Sequence, residues 1–307
     1  MDAIIHLPKM DAKLTVRIPA TSANMGPGFD CLGIALDIWN SVQVIDGQTG
    51  VSILGQGRNE LPTDATNLVN RSFARIFEEM GISIPSVHIR CENRIHLARG
   101  LGSSSAALIG GLVAGNEYAG NPFGDDYLLK LAAEMEGHPD NVSPALLGGM
   151  QIGIYEEDEV VTASVPFPDD LSVILFIPDH CMPTNETRNL LADKVSRSDA
   201  VYNIGRAALL VHAMITGDLN YLKYATQDKL HQPTRGSIFH PMKNVIRAAM
   251  NSGAVGSFLS GAGSTILALA TERLYTIAYE MADAGAKSGI EGEIVITKPS
   301  AMGAHVV

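Results

Sequence analysis

Cysteine is scarce in this chain, and the three that occur are far apart. Cys31, Cys91 and Cys181 show no metal-ligand spacing, and any disulfide would leave one of them unpaired. Because disulfides persist in oxidising compartments, this usage predicts a reducing cytoplasm. Positive charge is scarce as well, since 22 Lys and Arg stand against 33 Asp and Glu, for a net charge of −11. A general nucleic-acid or anionic-membrane surface needs a basic patch, so neither kind of partner is expected.

Long apolar runs and two familiar nucleotide signatures are also missing. The longest apolar run, Ala106–Gly115, is too short and too rich in small residues to span a bilayer. The N-terminus carries Asp2 and no apolar segment, so no signal peptide is expected. The chain contains no Walker sequence G-x-x-x-x-G-K-[ST], and its Gly-Leu-Gly segment does not satisfy the Rossmann pattern. A nucleotide would therefore have to bind through a different loop.

The 307 residues, 46% of them apolar, are enough for two domains or one large one. A near-continuous apolar strand predicted at Leu171–Ile177 should be buried on both faces, and we place a domain change shortly before it, near residues 160–170. Strands predicted at 41–45 and 51–54 are expected to pair with each other across a glycine-containing turn. Those predicted at 255–259 and 265–270 are expected to form a hairpin.

The chain is organised around a segment rich in glycine and serine, Arg99–Leu108, which leads from an extended stretch into a predicted helix over 103–118. A turn of this kind leaves N–H groups without intrahelical partners, and the helix dipole adds about half a positive charge there. These features favour a phosphate site, where serine hydroxyls could also bind a metal ion. The alternative is a tight turn, because serine caps a helix without any ligand.

Two more loops, 20–33 and 260–264, are rich in glycine. The polar side chains of the first suit a binding site: Thr21, Ser22, Asn24 and Asp30. In the alternative, a capped turn, Asn24 and Asp30 bond to their own backbone. Three such loops in one chain indicate close approach of the backbone to ligands, unless they are a dispersed set of turns.

A polar cluster ends the helix predicted over 125–136. Glu134 and Glu136 lie where the helix dipole disfavours negative charge, so either the end is solvated or a divalent cation bound to phosphates compensates them. The cluster continues into His138, Asp140 and Asn141.

Arg188 and Arg235 each follow a threonine-containing turn. Lone arginines commonly make a surface soluble, but two could clamp a carboxylate bidentately.

Four segments, taken together, closely resemble the homoserine kinase family, a branch of the superfamily named for galactokinase, homoserine kinase, mevalonate kinase and phosphomevalonate kinase (GHMP). They are PATSANMGPGFDCLGIALDIWN at 19–40, RGLGSSSAA at 99–107, EGHPDNVSPALLGG at 136–149 and SGAGSTI at 260–266. Their order and spacing make the resemblance cover nearly the whole chain. One departure is visible: His96 stands where the family usually has a proline before its glycine loop.

The resemblance implies an α+β fold of two domains. Residues 1–165 would be an ATP-binding domain similar to the second domain of ribosomal protein S5, and 166–307 a ferredoxin-like domain. The implied activity is transfer of phosphate from ATP, with Mg²⁺, to the side-chain hydroxyl of L-homoserine, giving O-phospho-L-homoserine in threonine biosynthesis. A homodimer is also implied.

The resemblance also implies roles for individual residues. The ATP site would comprise His96, Leu97, Ala98, Arg99, Gly100, Leu101, Gly102, Ser103, Ser104, Ser105 and Ala106. The amino-acid substrate would be held by Asn24, Asp30, His138, Arg188 and Arg235. Residues near the reacting groups would be Asn141, Arg188 and Thr184. Ser104 and Glu134 would bind the metal, with Glu136 as the rival carboxylate.

Two other functions remain open from the sequence. Another kinase of the superfamily would act on a sugar or mevalonate, which would not need both an acidic and an arginine clamp. A non-catalytic binder of ATP or an amino acid would bind without turnover, although Ser104 and Glu134 speak against it.

Overall fold

The computed structural model describes residues 13–157, 159–183 and 187–307, which form two β-sheets with helices packed against them. The strands are β1 Leu14–Ala23, β2 Leu32–Asp46, β3 Gly50–Gly55, β4 Val87–Asn93, β5 Met150–Glu156, β6 Glu159–Val165, β7 Ser172–Pro178, β8 Gly256–Leu259, β9 Ile266–Ala270, β10 Gly292–Thr297 and β11 His305–Val306. The helices are α1 Leu68–Glu79, α2 Ser103–Tyr118, α3 Asp125–Glu136, α4 Pro139–Leu147, α5 Arg197–Thr216, α6 Leu222–Ala225, α7 Gln232–Ile238, α8 Pro241–Ser252 and α9 Leu274–Lys287, with a 3-10 turn at Leu219–Tyr221.

The first sheet has the order β11-β1-β2-β4-β3; in addition β5 pairs with residues 32–34 of β2, and β6 pairs with β5. The predicted pairing of β2 with β3 is wrong. Residues 41–46 of β2 pair antiparallel with β4 instead, and β3 pairs parallel with the far side of β4. The glycine-containing turn between β2 and β3 suggested a hairpin. The place beside β2 is instead taken by β4, which begins more than 30 residues after β3 ends. This pairing buries Val87, Ile89 and Cys91 of β4.

Helix α2 is apolar around nearly its whole circumference and is buried between the first sheet and α1. Gly111 allows this packing, since a Cβ there would lie 2.3 Å from the carbonyl oxygen of Val69 in α1. The burial holds the N-terminus of α2 in a fixed place at the rim of the sheet.

The second sheet has the order β10-β7-β9-β8, with α8 and α9 covering one face. The predicted hairpin of β8 and β9 is confirmed, and the central strand β7 is buried from Val173 to Pro178 as expected. The chain changes sheets between Val165 and Ser172, and its last strand, β11, returns to the first sheet to pair with β1. The architecture is α+β. None of the described helices is long and apolar enough to cross a membrane.

Candidate active site

The segment from β4 to α2 forms a tight loop with three residues of positive φ, Ala98, Gly100 and Gly102. Gly102 is the N-cap of α2, and no side chain caps the helix. The predicted alternative of a serine cap is therefore not found. Because Ser103 begins the first turn, the free N–H groups of that turn remain available to an anion from the cavity.

The two serines that follow point their hydroxyls at one carboxylate. Ser104 Oγ and Ser105 Oγ each donate to Glu136 Oε1, both at 2.9 Å. Glu136 is the last residue of α3, so a negative group stands opposite the positive end of α2. Hydroxyl and carboxylate oxygens are the ligands preferred by a hard divalent cation.

Glu134 lies elsewhere. Its carboxylate is 3.6 Å from Nη2 of Arg75, and its side chain is 43% exposed. It does not line the cavity described below, whereas Glu136 does. The structure brings the rival carboxylate, Glu136, to Ser104 and leaves Glu134 on the surface, since the two side chains leave the last turn of α3 in different directions.

The three glycine-rich loops meet at one place. Ser260 Oγ donates to the carbonyl of Gly100 at 2.6 Å, and Gly261 N donates to Ala23 O at 3.1 Å. A Cβ on Gly100 would lie 2.0 Å from Ser260 O, so the close approach requires glycine. The alternative of dispersed turns is thus excluded, because the loops touch through hydrogen bonds between segments far apart in sequence.

Arg99 joins this loop to the end of β7. Its guanidinium donates to the carbonyls of Pro178 at 2.6 Å, Asp179 at 2.8 Å and Leu97 at 3.1 Å. Its Nη1 also lies 2.5 Å from Cys181 Sγ. The side chain of Arg99 is therefore occupied in holding the loop against the second sheet.

A cavity of about 660 Å³ runs along these loops. Residues 96–105 line it, while Ala106 does not, because that side chain is buried in the core beneath α2. Its other lining residues from the predictions are Asn24, Asp30, Glu136, His138, Asn141, Arg188 and Arg235. Thr184 lies outside the described residues.

At one end of the cavity, Asp30 and Arg188 bind each other. Nη1 of Arg188 lies 3.1 Å from Asp30 Oδ1, and Nη2 contacts Oδ2, which makes the pair bidentate. Asn24, in the left-handed region at φ +66°, accepts from the Asp30 N–H at 3.0 Å and donates to Gly261 O at 2.9 Å. The capped-turn alternative is thus partly met, but Asn24 also bonds across to the third loop.

Beside this pair, His138 Nδ1 lies 2.5 Å from Asp140 Oδ1. Burial lowers the pKa of His138, but the hydrogen bond and negative charge of Asp140 outweigh it, so the pKa is raised overall. Asn141 Oδ1 accepts from Thr21 Oγ1 at 2.7 Å, which places its amide next to the α2 loop. Helix α4 begins at Pro139 with His138 as its N-cap, and this puts the three polar residues on one turn.

Arg235, in α7, is only 1% exposed, yet it borders the cavity. Its Nη1 donates to Gly261 O at 3.0 Å and to His231 Nδ1 at 2.8 Å. Burial lowers the pKa of Arg235 to about 10, so the guanidinium stays charged at neutral pH. Both predicted arginines lie near the ring of Phe29, whose centroid is 5.5 Å from Arg188 Cζ and 5.7 Å from Arg235 Cζ.

The far end of the cavity was missed by sequence reasoning. Its walls come from β2, β3, α1, β4 and the loop between β3 and α1. They combine apolar residues with polar ones: Ile53, Leu61, Pro62, Leu68, Val69 and Cys91 with Asn40, Thr66, Asn67 and Asn93. Such residues cannot be told from ordinary core residues by pattern, because the sequence does not show that they face a cavity.

Known proteins are similar to this chain in sequence and in fold. The family model described as "GHMP kinases N terminal domain" matches residues 67–149, and "GHMP kinases C terminal" matches 210–287. Homoserine kinases of Desulfitobacterium hafniense and Carboxydothermus hydrogenoformans are 43% and 40% identical, over 95% and 94% of this chain and 99% and 95% of theirs. The crystal structure of homoserine kinase from Cytophaga hutchinsonii has a TM-score of 0.88 at 29% identity, covering 99% of this chain and 100% of that one. Mevalonate kinase from L. major, at 14% identity and a TM-score of 0.66, shares the fold.

Fold, loop and cavity therefore define a small-molecule kinase of the GHMP class. The match to the Desulfitobacterium hafniense relative covers 294 of the 307 residues. The chain belongs to the homoserine kinase family.

Proposed function

We propose that this chain transfers the γ-phosphoryl group of ATP to the side-chain hydroxyl of L-homoserine, giving O-phospho-L-homoserine and ADP. The observation that carries the proposal is one continuous cavity with an uncapped helix N-terminus in its middle and the Asp30, Arg188 and Arg235 charges at one end. An uncapped helix N-terminus suits a phosphate group, and the three charged side chains match a small zwitterion. Relatives named homoserine kinase match nearly the whole chain, which supports this substrate over other alcohols.

The phosphates of ATP are proposed to lie on the N-terminus of α2, against the N–H groups of residues 100–105. Ser104 and Glu136 fit a Mg²⁺ ion bound to those phosphates, because a hydroxyl and a carboxylate 2.9 Å apart form a hard oxygen donor set. Bound there, Mg²⁺ would neutralise charge on the phosphates during transfer. We propose Glu136, rather than Glu134, as its carboxylate.

We propose that the base of ATP occupies the end of the cavity that Leu61, Leu68 and Cys91 line together with Thr66 and Asn67. ATP and the acceptor would then approach the α2 N-terminus from opposite ends, as an in-line transfer requires.

At the acceptor end, Asp30 would receive the substrate ammonium, and Arg188 and Arg235 the carboxylate. Asp30 and Arg188 bind each other bidentately. A zwitterionic substrate can replace this contact, because its ammonium group can bind Asp30 and its carboxylate can bind Arg188. Asn24 and His138 border the same space and would bind the remaining polar atoms.

The hydroxyl oxygen attacks the γ-phosphorus, the bond to the β–γ bridging oxygen breaks to release ADP, and the hydroxyl proton passes to an oxygen of the transferred phosphoryl group or to water. Asn141 lies near the loop but cannot act as a base, and Asp140 is already bonded to His138. Phosphoryl transfer depends more on positioning and charge stabilisation than on a strong base. We therefore propose no general base; Asn141 and Thr184 remain proposed neighbours of the reacting groups.

A coupled assay of ADP formation tests the proposal, with L-homoserine, mevalonate, galactose and threonine as acceptors. The expected result is rapid turnover of homoserine alone. Turnover of another alcohol without homoserine would assign the chain to another GHMP activity. Tight ATP binding with no turnover of any acceptor would point to a non-catalytic binder.

We further propose a cytoplasmic homodimer that works in threonine biosynthesis. The three cysteines are free, which suits a reducing compartment. Helix α5 presents exposed apolar side chains at Val201, Ile204 and Ile215, which a second copy of the chain could cover. Sedimentation of the wild type and Ile204→Glu tests the dimer, which the variant should dissociate; a wild-type monomer would refute it.

A further inference from the structure

His231 stands directly behind Arg235, on the side away from the cavity. His231 is fully buried. Of these two residues, Arg235 lines the cavity and His231 does not. One turn of α7 separates the two residues, so the imidazole and the guanidinium lie on the same face. Any effect of His231 on a substrate would therefore pass through Arg235.

Two hydrogen bonds define the protonation of His231. Nε2 lies 2.8 Å from Gly26 O, which only accepts, so Nε2 carries the proton. Nδ1 lies 2.8 Å from Arg235 Nη1, which only donates, so Nδ1 is bare. The imidazole is thus neutral. Burial lowers its pKa to about 4, and this effect is larger than the opposite effect of the Asp228 carboxylate, which lies 3.6 Å from Nε2.

These contacts hold the Arg235 guanidinium by one nitrogen. Nη1 is bonded both to His231 Nδ1 and to Gly261 O. Nε is buried with no partner among the described residues, and no hydrogen bond joins Nη2 to any of them. Phe29 stacks on the imidazole at 5.5 Å and packs against the guanidinium, which limits movement of both.

We propose that His231 is a positioning residue for the acceptor substrate, which fixes the rotation of the Arg235 guanidinium so that its remaining donors face the substrate carboxylate. This rests on the proposed function, in which Arg235 binds that carboxylate. A carboxylate needs two parallel donors for a bidentate contact, and a guanidinium free to rotate would present them in only part of its orientations. Among the described residues, the polar and ring contacts of the His231 side chain are with Gly26, Arg235, Asp228 and Phe29, and none of these is in the proposed ATP site.

Two conservative variants separate this role from a purely structural one. Asn places an acceptor where Nδ1 stands, so His231→Asn keeps the partner of Arg235 and loses the bond to Gly26. Gln places its amide near the position of Nε2, so His231→Gln keeps the bond to Gly26 and loses the partner of Arg235. We expect KM for homoserine to rise about 10- to 50-fold in the Gln variant and less than about threefold in the Asn variant, with kcat and KM for ATP nearly unchanged.

The positioning role is refuted if the Gln variant keeps the wild-type KM, if Asn is as impaired as Gln, or if KM for ATP rises in parallel. In an Arg235→Ala background, adding His231→Gln should raise KM for homoserine no further; an additive increase would contradict action through Arg235. Wild-type turnover of homoserine is measured first, so a failure of the proposed function is seen separately.

A measurement on the wild-type protein needs no variant to fold. In protein labelled with ¹⁵N-histidine, the His231 imidazole should show a protonated Nε2 and a bare Nδ1 at pH 7. An Nδ1–H tautomer or an imidazolium at that pH would overturn the assignment, because neither could accept from Arg235.

Discussion

Replacing Glu136 by glutamine should increase the Mg²⁺ requirement of the enzyme. The change keeps the size of the side chain but removes the negative charge that faces Ser104 and Ser105 at 2.9 Å. Loss of a charged oxygen from a polar contact costs about 1.5–3 kcal/mol, which corresponds to roughly a 10- to 150-fold change in an equilibrium constant. The Mg²⁺ concentration for half-maximal ADP formation should rise within that range.

The matched control is Glu134→Gln, two residues earlier in the same helix turn. Glu134 is 43% exposed and 3.6 Å from Arg75, so its loss removes at most about 1 kcal/mol of surface interaction. The Mg²⁺ titration of this variant should overlay that of the wild type. If Glu134→Gln shifts the titration and Glu136→Gln does not, the proposed metal carboxylate is wrong.

Three more predictions follow from the same site. Asp30→Asn breaks the bidentate pair with Arg188 and should raise KM for homoserine on the order of 100-fold, with KM for ATP unchanged in the coupled assay. Gly102→Ala puts a Cβ 1.9 Å from Thr21 Oγ1 at φ +68° and should cost about 1–3 kcal/mol of stability in thermal unfolding while raising KM for ATP. Burial lowers the pKa of His231 to about 4, so between pH 6.5 and 4 the unfolded chain binds the extra proton. Stability from this residue is therefore complete above pH 6.5 and should fall by about 2 kcal/mol in urea unfolding at pH 5.

Each of these has a matched comparison. Asp46→Asn, at an exposed carboxylate bonded to Tyr118, should leave both KM values unchanged. Gly120→Ala has a similar positive φ of +88° but no atom within 4 Å of the added Cβ, so it isolates backbone strain from the clash. His231→Asn removes the contribution of His231 to the pH dependence of the free energy of unfolding. The raised pKa of His138 increases stability as the pH falls, and it does so equally in the wild type and in the variant. A wild type and an Asn variant with equal stability loss from pH 7 to 5 would contradict the assignment to His231.

The loop into α2 could be predicted because its signal is local. Glycine at positions of positive φ, followed by serines and an apolar helix, specifies a turn and an open helix N-terminus whatever surrounds it. The helix over 125–136 and the apolar strand at 171–177 were predicted for the same reason, since the pattern of each is contained within the element. The sequence by itself therefore determined the glycine-rich turn into α2 and those regular elements whose pattern is local.

Which groups face one another was decided only by the tertiary structure. Glu134 and Glu136 are equivalent in sequence, and the packing of α3 against α2 brings only Glu136 to Ser104. The pairing of β2 was decided by β4, a strand distant in sequence. The protonated nitrogen of His231 was decided by the carbonyl of Gly26, which belongs to another loop. These outcomes depend on contacts between distant segments, whose free energy comes from packing and charge that no short pattern contains.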